Sequence, residues 1–130
     1  MAATIKLLSL RLALFLCLLS PGKSTSSYIC RHVPGEIAIA QARTGKLIKG
    51  KPEWNVTFKN PCICTQLEIF LTCTGFKTVE KIDSRTLLLL RGRCRLYDGA
   101  PIYGGHSLSF KYAWDHPYAF KIANATIACS

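Results

Sequence analysis

The side chains of this 130-residue chain that could do chemistry are seven cysteines, seven carboxylates and three histidines. Four of the scattered carboxylates fall where the solvated face of a strand is expected, namely Glu36, Glu53, Glu68 and Glu80. No carboxylate pair is therefore indicated for glycoside hydrolysis. The sequence also contains no G-x-S-x-G motif and no glycine-rich phosphate loop. We predict that the protein is not an enzyme and uses no cofactor.

The cysteines indicate covalent bracing rather than metal binding. Cys62-Ile63-Cys64 has no second cysteine pair and no His-x-x-x-His spacing beside it, so a zinc site is not indicated. Residues i and i+2 of a strand lie too far apart to bond comfortably, so Cys62 and Cys64 are expected to reach different partners. Cys17 lies in the N-terminal segment that is expected to be removed, so six cysteines remain. In an oxidising compartment these six predict three disulfides, and the sequence leaves their pairing open. The six are Cys30, Cys62, Cys64, Cys73, Cys94 and Cys129.

The N-terminal segment has the layout of a secretory signal peptide. Two basic residues accompany the apolar run Leu12–Leu19, and small residues in 20–22 precede a cut before Lys23. This run is shorter than the roughly 20 residues that a membrane span needs. We expect residues 1–22 to be removed and residues 23–130 to form one exported, soluble domain without membrane insertion. Removal leaves 108 residues, 15 basic against 7 acidic side chains, and an even six cysteines.

The elements that must position these groups follow a period of two, which is typical of strands. Gly, Pro and Asn punctuate the strands at Thr44-Gly45 and Lys49-Gly50, and Asp98-Gly99 is the strongest hairpin signal. Only residues 81–90 could be a short helix or an irregular crossing. We predict an all-β fold, a single disulfide-stabilised β-sandwich of six to eight strands. The predicted inward positions are Ile37 and Ile39; Trp54, Val56 and Phe58; Leu67, Ile69, Leu71 and Cys73; and Leu108, Phe110 and Tyr112.

Two Asn-x-Thr sequons predict N-glycosylation at Asn55 and Asn124 if the protein is exported. Asn55 lies on the strand face opposite Trp54, so a glycan there would project into water. An unoccupied surface sequon is the alternative at each position.

The formal net charge of +10 narrows the choice of partners. Arg91, Arg93 and Arg95 alternate with other residues, and a strand would send all three to one face. Nucleic acid is not expected, because stacking aromatics do not accompany the charges of this exported chain. An acidic receptor surface or an acidic cell-wall polysaccharide fits better, and a merely solvated face is the alternative.

From Cys30 to Cys129 the chain resembles the plant Tapetum Determinant family of small secreted signalling proteins. The resemblance rests on the order of its motifs: Ile37-Ala-Ile-Ala-Gln41 with Thr44-Gly45; Pro52-Glu-Trp-Asn-Val-Thr-Phe-Lys-Asn60; Cys62-Ile-Cys64; Cys73-Thr-Gly-Phe76; Cys94 ahead of Asp98-Gly99; Ser107-Leu-Ser-Phe-Lys-Tyr-Ala113; and Cys129.

This resemblance implies an apoplastic ligand for the leucine-rich-repeat ectodomain of a receptor kinase that directs cell fate in the developing anther. Trp, Tyr and Arg are common interface anchors. The candidate receptor-binding residues are therefore Arg91, Arg93, Arg95, Trp114 and Tyr118. Two alternatives remain open: Trp114 fits the core equally well, and the protein could be a cell-wall carbohydrate-binding module.

Overall fold

The computed structural model describes Cys30 and residues 36–129, and within them the chain is all-β. One short 3-10 helix, Tyr97–Gly99, interrupts the strands. The class and the number of strands confirm the sequence prediction. The predicted signal peptide, residues 1–22, lies outside the described residues. The strands are β1 (Ala38–Ile48), β2 (Lys51–Lys59), β3 (Thr65–Thr72), β4 (Leu87–Leu89), β5 (Arg93–Leu96), β6 (Ser107–Ala113) and β7 (Lys121–Ala128).

The strands form two antiparallel sheets, one in the order β1-β2-β6 and the other in the order β4-β5-β3-β7. Their inner faces share one apolar core, which confirms the alternation predicted for β2 and β6. Aromatic rings of β2, β6 and the segment before β7 meet there, mostly edge to face. No helix in the described part of the chain has the length and apolar character needed to cross a membrane. The core includes Val56, Phe58, Ile69, Leu71, Leu96, Ile102, Phe110, Tyr112 and Phe120.

β3 departs from its predicted alternation at one residue. Glu68 has a φ of 51°, and the pairing of β3 with β7 shifts around it. A β-bulge inserts one residue and changes which side chains face the core. Gln66 is therefore fully buried, whereas Leu67 is only partly buried. The prediction that Leu67 faces inward with Ile69 was wrong, because a period-two pattern carries no sign of a bulge.

Of the three predicted turns, Lys49-Gly50 is confirmed, and Thr44-Gly45 and Asp98-Gly99 are not. Lys49 and Gly50 form the two-residue turn between β1 and β2, with positive φ at both positions, as a type I′ turn requires. Thr44-Gly45 is not a turn, because it lies within β1 at an irregularity of the β1–β2 pairing. Asp98-Gly99 is not a hairpin turn either, because the 3-10 helix leads from one sheet to the other. Residues 81–90 form an irregular crossing that ends in β4.

Three disulfides confirm the predicted covalent bracing: Cys30–Cys62, Cys64–Cys129 and Cys73–Cys94. Cys62 and Cys64 therefore bond to different partners. The first two bridges gather Cys30, the β2–β3 connection and the end of β7 at one end of the molecule. The third joins the residue after β3 to β5 inside the core.

A buried amide pair organises the β2–β3 connection beside these bridges. The Asn60 Nδ2 group donates to the carbonyl oxygens of Cys64 (2.7 Å) and Ile102 (2.8 Å). Gln66 Nε2 donates to Asn60 Oδ1 at 2.9 Å. Both amides are fully buried, so these bonds offset much of the cost of removing them from water.

Candidate functional site

The β4–β5 hairpin carries three consecutive leucines that face water. Leu88, Leu89 and Leu90 are 37%, 61% and 48% exposed, whereas Leu87 before them is buried. β4 is an edge strand that pairs only with β5 among the described strands. An exposed apolar edge strand offers both apolar area and unpaired backbone groups to another chain.

The backbone of this edge is oriented for pairing. Leu90 and Arg93 exchange backbone hydrogen bonds and close the hairpin around Arg91-Gly92. Because hydrogen-bonded and non-hydrogen-bonded pairs alternate in antiparallel strands, the Leu89 N–H and C=O point away from β5. The free side of β4 therefore presents one donor and one acceptor between exposed leucine side chains.

The three arginines of the predicted stripe are not equivalent. Arg93 and Arg95 share the outward face of β5, since Cys94 and Leu96 alternate with them and are buried. Arg91 lies in the turn before β5, outside the strand. The prediction that all three arginines lie on one face of a strand was therefore wrong for Arg91.

Arg95 is also not a free cation. Its Nη2 lies 2.8 Å from Glu68 Oε1, and its Nη1 lies 3.0 Å from Asp98 Oδ1. The bulge on β3 brings Glu68 to β5, and this contact across 27 residues could not be read from the local pattern. Among the described residues, the cations beside the leucines that form no ion pair are Arg91 and Arg93.

The two aromatic candidates have different surroundings. The Tyr118 ring packs on Phe120, with centroids 4.8 Å apart, and its hydroxyl donates to the Thr74 carbonyl at 2.7 Å. Thr74 lies against the hairpin turn, since its Oγ1 is 3.2 Å from the place of a Cβ on Gly92. Tyr118 therefore lies near the turn of the β4–β5 hairpin. Its ring packing and its hydrogen bond mainly stabilise this part of the fold. Trp114 is partly exposed just after β6 and is surrounded by lysines.

The sequence analysis missed a pair of adjacent carboxyl groups, one buried and one partly buried. Glu53 is only 4% exposed, and the Thr44 hydroxyl, 2.6 Å from its Oε1, lowers the pKa of Glu53. Burial, and then the adjacent Glu53, raise the pKa of Glu80. The prediction of a solvated face was wrong for Glu53, because residues 78–80 run along the edge of β6 and cover it.

The leucines were missed for another reason. The run Leu87–Leu90 does not alternate, so it was assigned neither to a strand nor to a surface. A run of leucines followed by Arg91-Gly92-Arg93 was the available signal. Among the described residues no group of three or more His, Cys, Asp or Glu side chains could hold a metal ion.

The sequons lie on two different strands. Asn55 is partly exposed on the outer face of β2, between Ala42 and Lys111 of the neighbouring strands. Asn124 is exposed on the edge strand β7. Glycosylation at either position remains a prediction.

The chain matches the family model described as Tapetum determinant 1, C-terminal, over residues 34–130. It is 31% identical over 97 residues to TPD1 protein homolog 1 of Arabidopsis thaliana, covering 72% of this chain and 53% of that protein. It is 32% identical over 100 residues to TPD1 protein homolog 1A of Oryza sativa subsp. japonica, covering 70% and 44%.

The chain thus spans about half the length of these two relatives. An uncharacterized protein of Arabidopsis thaliana is 31% identical over 107 residues, covering 80% of this chain and 83% of that protein. No solved structure matches the chain significantly.

Proposed function

The chain belongs to the Tapetum determinant 1 family, and on this premise we propose that it is an exported signalling ligand in plant reproductive development. Its partner is the leucine-rich-repeat ectodomain of a receptor kinase, as the motif resemblance implies. Its first 22 residues act as a signal peptide, and the β-domain is released into the apoplast. Family membership and the three disulfides support this proposal.

The observation that carries the receptor contact is the exposed β4–β5 hairpin. Leu88–Leu90 supply an apolar centre, and Arg91 and Arg93 supply a charged rim. This combination is typical of protein interfaces, which have a desolvated centre and a polar border. Two unpaired arginines favour a partner surface with acidic groups around an apolar patch.

The hairpin is held in place before binding. The Cys73–Cys94 bridge lies directly beneath it, and the Cys73 N–H donates to the Gly92 carbonyl at 3.1 Å. A site that is already ordered loses less conformational entropy when it binds.

The test is a kinetic measurement of binding to purified leucine-rich-repeat ectodomains. Leu89→Ser with Leu90→Ser should raise the dissociation rate and weaken binding at least about tenfold, because central apolar anchors dominate binding energy. Arg91→Gln with Arg93→Gln should mainly slow association, and the loss should shrink in high salt.

Lys59→Gln with Lys121→Gln is the matched control, because it removes two exposed cations elsewhere. This control should bind like the wild type. Unchanged binding by both hairpin variants would move the interface away from β4–β5. Failure of the wild-type protein to bind any ectodomain of the class would reject the ligand function.

Export has a separate test. Expression of the full chain in plant cells should yield a secreted form whose N-terminal sequence begins close to Lys23. A start upstream of Leu19, or retention inside the cell, would contradict the proposal. Treatment of the secreted form with a glycosidase would show whether Asn55 and Asn124 carry glycans.

A further inference from the structure

The two tryptophans of the chain lie together at one end of the three-stranded sheet. Trp54 belongs to β2 and Trp114 follows β6. The Trp54 Nε1 group donates to the Trp114 carbonyl at 3.1 Å, and the Trp114 N–H donates to the Pro52 carbonyl at 3.2 Å. Both side chains are only partly buried. The Trp54 indole and the backbone of Trp114 are therefore held by hydrogen bonds, while part of each indole surface faces water.

Three cations from separate segments gather over these rings. The guanidinium carbon of Arg43 lies 5.9 Å from the Trp54 ring centroid. The ammonium groups of Lys51 and Lys77 lie 5.2 Å and 5.9 Å from the Trp114 ring centroid. Cation–π contacts at exposed sites are weak, so they do not use up the charge of the cation. These contacts therefore leave the charges of Arg43 and Lys77 available to an anionic ligand.

The three cations differ in whether a carboxylate pairs with them. Lys51 forms an ion pair with Asp115 at 2.8 Å. Arg43 and Lys77 form no ion pair among the described residues. Lys49, in the turn between β1 and β2, adds a further positive charge next to Lys51. The site combines flat apolar rings with two cations, Arg43 and Lys77, that lack an ion-pair partner among the described residues.

We propose that Arg43, Lys51, Trp54, Lys77 and Trp114 form a binding site for an acidic polysaccharide built of uronic acids. A pyranose ring presents an apolar C–H face that fits an indole, and its carboxylate pairs with Lys or Arg. A neutral glycan would leave the charges of Arg43 and Lys77 unused, so a glycan that carries carboxylates fits the site better. We prefer an acidic polysaccharide to nucleic acid as the ligand because the protein is proposed to be exported.

This site is separate from the receptor contact. Its residues belong to or follow β1, β2, β3 and β6, whereas the receptor contact is the β4–β5 hairpin. Attachment to a wall polymer would hold the protein near its point of release. The polysaccharide site therefore adds a second binding activity to the proposed ligand.

The experiment titrates the disulfide-intact protein with oligogalacturonate and follows tryptophan fluorescence and heat. Both tryptophans lie in the site, so their emission reports binding directly. Arg43→Gln with Lys77→Gln should weaken binding about tenfold, since two exposed ion pairs contribute ~1–2 kcal/mol together. Trp114→Leu keeps an apolar side chain but removes the flat face, and it should weaken binding as well.

Lys59→Gln with Lys121→Gln lowers the net charge by the same two units and should retain wild-type affinity. Fully methyl-esterified oligogalacturonate, dextran sulfate and a single-stranded oligonucleotide should all bind more weakly than oligogalacturonate. The proposal is overturned if the wild type does not bind, or if both double variants lose equal affinity. It is also overturned if dextran sulfate or the oligonucleotide binds as tightly.

Circular dichroism and thermal unfolding of each variant keep a folding defect apart from a binding defect. If Trp114→Leu does not fold, the comparison of the two surface double variants still decides the question. Arg43→Gln with Lys77→Gln should leave the receptor association rate unchanged, so failure of one proposal is distinguishable from failure of the other.

Discussion

Glu53, which is buried, and Glu80, which is partly buried, are neighbours on the outer side of the three-stranded sheet. The Thr44 hydroxyl favours the charged form of Glu53, whereas burial favours the neutral form of Glu80. Lys46 and Lys111 lie near both groups and favour their charged forms. The pKa of Glu53 is therefore lowered while the pKa of its neighbour Glu80 is raised.

We predict that Glu80→Gln raises the melting temperature at neutral pH and leaves it unchanged in acid. The folded pKa of Glu80 lies above its ordinary value of 4.5. Its contribution to the free energy of unfolding is therefore fully present below pH 4.5 and is lost as the pH rises through the folded pKa. Glutamine keeps a donor toward Glu53 and never ionises. Thermal unfolding between acid and neutral pH measures the difference.

Glu53→Gln provides the contrast of opposite sign. The folded pKa of Glu53 is lowered, so its contribution is present above the ordinary value of 4.5 and is lost as the pH falls through the folded pKa. This variant should be less stable than the wild type at neutral pH. A Glu80→Gln protein that melts below the wild type at neutral pH would contradict the proposed role of the pair.

At the scale of elements, the bulge in β3 packs against the 3-10 helix that follows β5. The bulge brings Glu68 to Arg95, and Gly99 lies against both side chains. A Cβ on Gly99 would stand 2.6 Å from Arg95 Nη2. Gly99 also has a φ of 81°, where a side chain is strained. Glycine is therefore required here for two separate reasons.

We predict that Gly99→Ala destabilises the protein more than Gly75→Ala. Gly75 has nearly the same φ, 77°, but open space around its Cβ position. Gly75→Ala should cost ~1–2 kcal/mol from backbone conformation alone. Gly99→Ala should cost a further ~1–3 kcal/mol because the ion pair must move. Urea unfolding of both variants gives the two free energies, and equal values would show that Gly99 is not in contact with the ion pair.

The edges of the two sheets also differ in a way that favours the β4–β5 hairpin as an interface. β1 is a long edge strand, but Gly45 and a pairing irregularity interrupt it, and Lys46 lies next to them. Such features discourage pairing with another chain. β4 has only leucines in its three residues. The β4 edge, beside Arg91 and Arg93, thus lacks the features that protect the β1 edge.

At the scale of the whole molecule, the Cys64–Cys129 disulfide joins distant positions of the chain next to the paired ends of β3 and β7. Cys64 precedes β3 and Cys129 follows β7, and 65 positions separate them. The loop-closure model gives such a bridge ~4 kcal/mol of stabilisation. A bridge that spans 21 positions, as Cys73–Cys94 does, contributes ~3 kcal/mol by the same model.

We predict that Cys64→Ala with Cys129→Ala lowers the free energy of unfolding by ~4 kcal/mol. Cys129 is exposed and Cys64 is buried, but alanine keeps the Cβ of each residue, so the entropy of the unfolded chain dominates. Denaturant unfolding under oxidising conditions measures the loss. Mass mapping of non-reduced wild-type peptides is the control, and it should recover all three bridges of the structure. A loss below ~1 kcal/mol would show that this bridge does not limit the unfolded chain.

The sequence by itself determined the features that depend on neighbours along the chain. Alternating apolar residues predicted β2 and β6, because successive side chains of a strand point to opposite faces. Six cysteines predicted three bridges, and ordered motifs pointed to the family.

Only the tertiary structure decided which residues from distant parts of the chain meet. Glu68 reaches Arg95 because a bulge turns it, and Glu53 is buried because residues 78–80 cover an outward strand face. The exposure of Leu88–Leu90 follows from the position of β4 at the edge of its sheet. The period of two reflects only the local geometry of a strand. Strand order, bulges and the segments that cover a sheet are determined only when the two sheets pack around a common core.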